Sequence, residues 1–219
     1  MSAPDAVLFD LDGTLTDPKP GICGSIAYAM DKLGHVAPSH DDLDWCIGPP
    51  LLGSFARLLA TQDPAVLSAA VAYYRERFSA GGLFENRVYD GIPECLSTLQ
   101  KHGIPLFVAT SKPKVFADQI VERFGLADYF RFIYGSELDG TRCDKGEVIG
   151  HALASEGLAG KSLLMIGDRK HDVIGARKWA IPCIGVTYGY GSAEELTSAG
   201  AFSLCDSPEE LIDAILNSA

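Results

Sequence analysis

The sequence predicts an α/β fold in which a parallel sheet is covered by helices and is interrupted once by a helical insert. Short apolar runs alternate with helical patterns over most of the chain, which is typical of parallel strands joined by helices. The stretch from about residue 17 to residue 86 breaks this alternation, since it contains helical patterns and no convincing strand. The predicted domains are therefore an α/β core, residues 1–16 and 87–219, and a helical domain, residues 17–86.

The predicted strands of the core are short and apolar, and polar clusters follow several of them. They cover residues 6–9, 104–110, 130–134, 162–167 and 181–186. Helices are predicted in the core at residues 93–102, 113–124, 144–156 and 171–180, and in the insert at residues 22–33, 51–59 and 64–78. Ligands bind beyond the carboxyl ends of the strands in such sheets, so the polar clusters there supply the candidate site residues.

The composition argues against several classes of binding partner. The chain has 219 residues and a net charge of −11, without the clustered Lys and Arg that bind a nucleic-acid backbone. No apolar run approaches the roughly 20 residues that span a bilayer. The six cysteines form no CxxC pair, which favours reduced thiols in the cytoplasm. We therefore expect a cytoplasmic protein with no nucleic-acid or membrane partner. The absence of a long heptad pattern favours a monomer, and a homodimer stays open.

Two carboxylates, Asp10 and Asp12, follow the first predicted strand and precede Gly13, which permits a tight backbone path. Two carboxylates at this spacing can act as a nucleophile and as a general acid and base. The other interpretations of the segment are a calcium-type acidic loop and a simple turn. We favour the catalytic interpretation because further polar clusters follow later strands.

The next two clusters contain hydroxyl groups and a lysine. Thr110, Ser111 and Lys112 follow the apolar run 104–109, where a hydroxyl can donate to a phosphate oxygen or can cap the next helix. Lys145 opens a later predicted helix. A lysine at such a position is often simply solvated, but beside a phosphate its charge would neutralise developing negative charge.

The fourth cluster contains two aspartates four residues apart, Asp168 and Asp172, after the apolar run 163–166. They either place both carboxylates near one point or serve only as acidic residues at a helix N-terminus. If they converge with Asp10 and Asp12, each close pair of like charges costs about 4 kcal/mol at an effective dielectric constant near 20. A hard divalent cation removes this penalty, and Mg²⁺ suits a site of few carboxylates, waters and a substrate phosphate.

Together, in this order, the four clusters resemble the motifs of the haloacid dehalogenase (HAD) superfamily over essentially the whole chain. Residues 9–15 are similar to the first motif, Thr110 to the second, Lys145 to the third, and Asp168 through Asp172 to the fourth. The resemblance implies a Rossmann-like HAD fold, with residues 17–86 as a small all-helical cap domain.

The resemblance also implies a role for each motif residue. Asp10 would be the nucleophile that forms an aspartyl-phosphate, and Asp12 would protonate the leaving oxygen and then activate water. Thr110, with Ser111 beside it, would bind the phosphoryl oxygens, and Lys145 would bridge phosphate and nucleophile. The ligands of Mg²⁺ would be the Asp10 carboxylate, the Asp12 backbone carbonyl, Asp168 and, mainly through a water, Asp172.

The helical insert is similar to the cap of phosphoglycolate phosphatases and β-phosphoglucomutases, in the branch called phosphoglycolate phosphatase-like or 5'-nucleotidase-like. This implies Mg²⁺-dependent hydrolysis of a small phosphorylated metabolite, 2-phosphoglycolate or a 5'-nucleoside monophosphate. The alternative is a phosphotransferase, a sugar-phosphate mutase of the β-phosphoglucomutase type, which uses the same aspartyl-phosphate. Dehalogenation is disfavoured because a displacement at carbon needs no acid at Asp12. A non-enzymatic role is disfavoured because every motif residue is present.

Two positions depart from the family pattern. Pro18 follows Asp17, where many relatives carry a serine, so the resemblance does not extend to a hydroxyl contact at this hinge. Arg169, Lys170 and His171 separate the two aspartates of the fourth cluster. We expect these three residues to be surface charges, with the alternative that Arg169 faces the site.

Overall fold

The computed structural model describes residues 3–218 and divides into two compact units. The larger unit contains the chain up to Asp17 and from Val88 onward, and the smaller unit is Pro18–Arg87. The assignment of residues 1–16 and 87–219 as a core and of residues 17–86 as a cap stays a prediction, and residues 1, 2 and 219 lie outside the described chain. Within residues 3–218, no helix combines the length and the apolar character needed to cross a membrane.

The strands are, in chain order, β1 (Ala6–Phe9), β2 (Thr16–Asp17), β3 (Arg87–Val88), β4 (Leu106–Pro113), β5 (Phe132–Ser136), β6 (Leu163–Gly167), β7 (Cys183–Val186) and β8 (Ser203–Cys205). Six of them form a parallel sheet in the order β5-β4-β1-β6-β7-β8. The short strands β2 and β3 pair separately.

The helices are α1 (Lys19–Lys32), α2 (Leu51–Leu58), α3 (Pro64–Ala80), α4 (Ile92–Lys101), α5 (Lys114–Arg123), α6 (Lys145–Glu156), α7 (Lys170–Arg177), α8 (Ala193–Ala199) and α9 (Pro208–Leu216). Single 3₁₀ segments lie at His40–Cys46, Gly82–Phe84 and Ala127–Tyr129. The smaller unit therefore contains only helical elements apart from Arg87 of β3. Its interior includes a stacked pair, Tyr74 and Phe78, whose ring centroids are 5.3 Å apart.

The central strand β1 is buried along its whole length, between β4 and β6. Its Val7 is paired with Leu106 on one side and with Leu164 on the other. A parallel strand that is covered on both faces needs an uninterrupted apolar sequence, which explains the run from Ala6 to Phe9. Successive strands extend to one side of β1 and then to the other, so the sheet has its topological switch point at this strand. Ligands bind at such points, beyond the carboxyl ends of the strands.

The predicted α/β fold is confirmed, and all five predicted core strands are present. Most boundaries differ from the predicted ones by up to three residues; for example, β4 continues to Pro113 and α5 begins at Lys114 instead of residue 113. The register between β4 and β5 shifts between Ala109 and Pro113, and this irregularity carries the end of β4 beyond its apolar part. The elements after residue 186, namely α8, β8 and α9, were not predicted.

Candidate active site

Three neighbouring strands bring predicted site residues to one edge of the sheet. Asp10 directly follows β1, Thr110 lies in β4 after its apolar part, and Asp168 directly follows β6. The backbone N–H of Asp10 donates to the Ile166 carbonyl at 2.9 Å, which continues the β1–β6 ladder to the nucleophile candidate. All three side chains are buried, so these residues do not form an exposed acidic surface.

Asp10, Asp168 and Asp172 form a cluster that we call the carboxylate trio. One oxygen from each lies within 4.8 Å of the others. Burial raises the pKa of Asp168 well above its usual value, and the charges of Asp172 and Asp10 raise it further. Burial also raises the pKa of Asp172 to about 6, although Lys145 opposes the shift. Buried carboxylates that repel one another in this way are suited to hold a hard divalent cation.

Backbone and hydroxyl groups orient the trio. The N–H of Tyr190 donates to Asp168 Oδ2 at 2.8 Å, and the Thr14 hydroxyl donates to Asp168 Oδ1 at 3.5 Å. The N–H of Arg169 donates to Asp172 Oδ2 at 3.0 Å at the start of α7. These contacts fix the Asp168 and Asp172 carboxylates, which is the arrangement expected of a preorganised site.

Lys145, the first residue of α6, provides the positive charge beside the trio. Its Nζ lies 2.7 Å from Asp10 Oδ1 and 2.8 Å from Asp172 Oδ1, and it donates to the Ala109 carbonyl at 2.9 Å. Burial alone would lower the pKa of Lys145, but the charges of Asp10 and Asp172 outweigh this effect and raise it. The lysine is therefore charged at neutral pH and bridges two of the three carboxylates.

Asp12 lies apart from the trio and is held by a lysine. Its Oδ2 is 2.6 Å from Lys112 Nζ, and both side chains are at least 90% buried. Its Oδ1 is buried and accepts no hydrogen bond from the described residues. Burial raises the pKa of Asp12, and Lys112 opposes the shift. The structure thus brings the Asp12 side chain to Lys112, and the role of its backbone carbonyl as a metal ligand stays a prediction.

The two hydroxyl residues lie at the carboxyl end of β4. The Thr110 hydroxyl accepts from the backbone N–H of Lys112 at 3.2 Å, which leaves its own O–H as a donor. Ser111 is half-buried, and its carbonyl accepts from the Ser136 hydroxyl at 2.8 Å. Binding of phosphoryl oxygens by Thr110 and Ser111 stays a prediction.

Arg169 is placed differently from the expectation. It is buried, and its Nε donates to Glu195 Oε1 at 3.0 Å. The same Glu195 oxygen accepts from the N–H of Lys170 at 2.9 Å. The expectation of a surface charge at Arg169 is wrong because α8, which was not predicted, supplies the carboxylate that neutralises it. Lys170 is exposed as expected, and His171 is half-buried.

Sequence reasoning also missed Lys112 and Tyr190 as site residues. Lys112 belongs to the polar cluster that ends β4, so its position after an apolar strand was an available signal. Tyr190 contributes a backbone N–H, which no residue-type pattern can reveal.

The family can now be assigned. The sequence model of the haloacid dehalogenase-like hydrolases matches residues 7–186. This range includes all the predicted site residues, from Asp10 to Asp172. The chain belongs to the haloacid dehalogenase-like hydrolase family. The predicted resemblance is confirmed, and the HAD fold accounts for the six-stranded sheet.

Relatives of this HAD-like hydrolase carry phosphatase names. A 5'-nucleotidase of Pseudomonas aeruginosa is 54% identical over 87% of this chain and 86% of its own length. A crystal structure described as a predicted phosphatase from Clostridium acetobutylicum superposes with a TM-score of 0.94, at 48% identity, over 98% of this chain and 99% of that one. Phosphoglycolate phosphatases of Photobacterium profundum and Agrobacterium fabrum are 26% and 32% identical over 95% and 84% of this chain, and over 94% and 80% of their own lengths. The predicted enzyme class is confirmed: this HAD-like hydrolase is a phosphatase.

Other relatives carry a different name. The tyrosine-protein kinase PtkA of Mycobacterium tuberculosis is 37% identical over 97% of this chain and 73% of its own length. Kinases and phosphatases both transfer phosphoryl groups, and they differ in the donor or the acceptor of the group.

Proposed function

We propose that this HAD-like hydrolase is a Mg²⁺-dependent phosphatase that hydrolyses 5'-nucleoside monophosphates through an aspartyl-phosphate on Asp10. The observation that carries the proposal is the bridge of Lys145 between Asp10 and Asp172 at 2.7 and 2.8 Å, within a buried trio of carboxylates. A nucleophilic carboxylate, a fixed cation and a site for a divalent metal are the parts that phosphoryl transfer requires, since it depends on positioning and on charge neutralisation.

The trio fits Mg²⁺ on the basis of its donors. Three buried carboxylates within 4.8 Å of one another would repel without a cation, and Lys145 offsets the charge of only two of them. Asp10, Asp168 and Asp172 would hold the ion, the last mainly through a water, and the backbone carbonyl of Asp12 would complete the protein ligands. When bound, Mg²⁺ would neutralise charge on the phosphoryl oxygens.

The proposed reaction has two steps. A carboxylate oxygen of Asp10 attacks phosphorus, and the bond to the ester oxygen breaks. That oxygen leaves with the bonding pair and takes a proton from Asp12. Water then gives a proton to the Asp12 carboxylate and attacks phosphorus, and the bond between phosphorus and Asp10 breaks. Lys145 and the O–H of Thr110 stabilise the transferring group throughout, because their charge and dipole are already oriented.

The choice of a nucleotide over phosphoglycolate follows the relatives. The relative named 5'-nucleotidase is 54% identical, whereas the two phosphoglycolate phosphatases are 26% and 32% identical. Because a shared substrate class is expected more often at higher identity, we propose that the substrate is a 5'-nucleoside monophosphate.

The test is phosphate release from a panel containing adenosine 5'-monophosphate, 2-phosphoglycolate, glucose 6-phosphate and p-nitrophenyl phosphate, with and without Mg²⁺. We expect turnover only with Mg²⁺, the highest kcat/KM for the nucleotide, and loss of turnover in Asp10→Asn. Asp128→Asn, which changes an exposed aspartate outside the site, is the matched control and should leave the rates unchanged. Full activity in Asp10→Asn would overturn the mechanism, and a higher kcat/KM for 2-phosphoglycolate would overturn the substrate assignment.

The same assay detects the intermediate and the competing phosphotransferase reaction. With glycerol added, a common aspartyl-phosphate must give the same ratio of glycerol phosphate to free phosphate whichever substrate supplied the phosphoryl group. A ratio that changes with the leaving group would contradict the aspartyl-phosphate. Transfer that greatly exceeds hydrolysis in dilute acceptor would favour the phosphotransferase alternative.

A further inference from the structure

The Asp12–Lys112 pair has a role that the family assignment leaves open. We propose that Lys112 is a positioning residue, which holds the Asp12 carboxylate by Oδ2 so that Oδ1 exchanges the proton with the leaving oxygen and with water. This inference rests on the proposed function, in which Asp12 acts as the general acid and base.

The two oxygens of Asp12 have different surroundings. Oδ2 is 2.6 Å from Lys112 Nζ, and the Asp12 and Lys112 side chains are only 10% and 6% exposed. Oδ1 is also buried and accepts no hydrogen bond from the described residues. Leaving a buried carboxylate oxygen without a donor is unfavourable, so its persistence needs a reason. The leaving oxygen of a bound ester, which must receive a proton, supplies the missing partner.

Lys112 is well placed to fix this orientation because it projects from a strand. It lies in β4, and its backbone N–H donates to the Thr110 hydroxyl at 3.2 Å. Thr110 is itself buried at the same edge of the sheet. The end of β4 that presents the Thr110 hydroxyl therefore also presents the ammonium group that holds Asp12.

Without Lys112, the Asp12 carboxylate would rotate or bind another donor, and Oδ1 would lose its fixed direction. This matters most for substrates whose leaving oxygen needs a proton. An alkyl ester such as a 5'-nucleotide has a basic leaving oxygen, whereas p-nitrophenolate leaves without protonation. The parameter kcat/KM reports the first chemical step, so it separates the two cases.

The experiment compares Lys112→Met, which keeps the volume and removes the ammonium, with the wild-type enzyme in the presence of Mg²⁺. We expect kcat/KM for adenosine 5'-monophosphate to fall by about 10- to 100-fold, because misdirected proton transfer removes part of a contribution of that order. For p-nitrophenyl phosphate we expect kcat/KM to change by less than about threefold. Lys112→Arg should restore part of the loss.

Two controls separate positioning from other roles. Lys114→Met removes a lysine two residues away that is paired with Asp118 at 2.7 Å, and it should leave both substrates unaffected. In the Asp12→Asn background, Lys112→Met should cause no further loss, because a residue that acts through Asp12 has nothing left to position. If Lys112→Met does not fold, Lys112→Gln serves the same comparison.

An equal fall for both substrates, or an undiminished effect of Lys112→Met in the Asp12→Asn background, would overturn the inference and indicate direct binding of substrate by Lys112. An unchanged kcat/KM for the nucleotide would overturn it as well. These results are distinct from failure of the proposed function, which would show as wild-type enzyme without turnover or as Asp10→Asn with full turnover.

Discussion

Gly13 shows how tightly a single residue can be constrained by a neighbouring site group. Its φ is +81°, a value that residues with a side chain rarely adopt. A Cβ at this position would lie 2.2 Å from Asp168 Oδ2, so the backbone between Asp12 and Thr14 passes directly against a carboxylate of the trio. Conformation and space therefore both require glycine, and the two effects can be separated by experiment.

Gly13→Ala should destabilise the protein more than Gly103→Ala, which has a φ of +74° and no atom within 4 Å of the added Cβ. Strain alone costs about 1 kcal/mol, and we expect Gly13→Ala to cost about 1–3 kcal/mol more because Asp168 must move. Gly13→Ala should also lose most phosphatase activity. Urea unfolding and kcat/KM measure the two effects, and equal stability of both variants with full activity would contradict the argument.

At the scale of elements, the sequence predicts the helices and strands whose own residues determine them. The strands β1 and β6 are buried on both faces, so their apolar runs are visible without any tertiary knowledge. The candidate residues Asp10 and Asp168 follow directly, because parallel strands end at one edge. Lys145 opens α6 as predicted.

The missed features depend on contacts between distant segments. The strand β8 has three residues and no apolar run, so only its pairing with β7 defines it. The burial of Arg169 requires Glu195 of α8, which is 26 residues away in the sequence. The division of the aspartates into a trio and a separate Asp12 depends on where Lys112 points, which residue types and spacing do not determine.

Helix α6 offers a prediction at this scale, since its first residue is Lys145 and its N-cap is Asp144. The Asp144 carboxylate accepts from the N–H of Gly146 at 2.9 Å. Asp144→Ala should lower the free energy of unfolding by about 1 kcal/mol. Because fraying would move Lys145, we also expect kcat/KM to fall by about tenfold. The control is Asp63→Ala, which removes the N-cap of α3 and should lower stability similarly without reducing kcat/KM.

The stabilising effect of Asp144 should depend on pH in a defined direction. Its hydrogen bond with Lys178 holds the pKa of Asp144 below its usual value of 3.8. A carboxyl with a lowered folded-state pKa stabilises the fold fully above 3.8 and loses that effect as the pH falls through the folded-state pKa. The stability difference between wild type and Asp144→Ala should therefore be constant from pH 7 to pH 5 and should shrink below about pH 3.8. A difference that grows on acidification would contradict this account.

At the scale of the whole molecule, each compact unit contains one tryptophan, Trp45 in Pro18–Arg87 and Trp179 in the larger unit. Trp45→Phe therefore leaves Trp179 as a fluorescence probe of the unit that carries the trio. Unfolding followed by the fluorescence of this variant reports the effect of metal on the larger unit alone. A signal from the whole chain would combine this effect with the stability of the helical unit.

With this probe, Mg²⁺ should stabilise the larger unit more at pH 7.5 than at pH 5. The pKa of Asp172 is raised to about 6 and that of Asp168 lies well above its usual value. A carboxyl with a raised folded-state pKa binds more protons folded than unfolded, so the metal-free stability should fall as the pH rises from about 4 to about 6. Protons compete with Mg²⁺ in this range. At pH 7.5 and about 100 times the dissociation constant, Mg²⁺ should add about 2.7 kcal/mol.

Asp168→Asn tests whether the trio is the source of this stabilisation. It removes one of the mutually repelling charges, so at pH 7.5 the metal-free variant should be at least as stable as the Trp45→Phe parent, while the increment from Mg²⁺ should largely disappear. Asp128→Asn is the control for loss of one exposed carboxylate and should keep the full increment. NaCl at matched ionic strength separates binding from screening. An equal increment in Asp168→Asn, or a larger increment at pH 5 than at pH 7.5, would place the metal elsewhere. The reason is that protonation of a carboxylate weakens Mg²⁺ binding only where that carboxylate is a ligand of the ion.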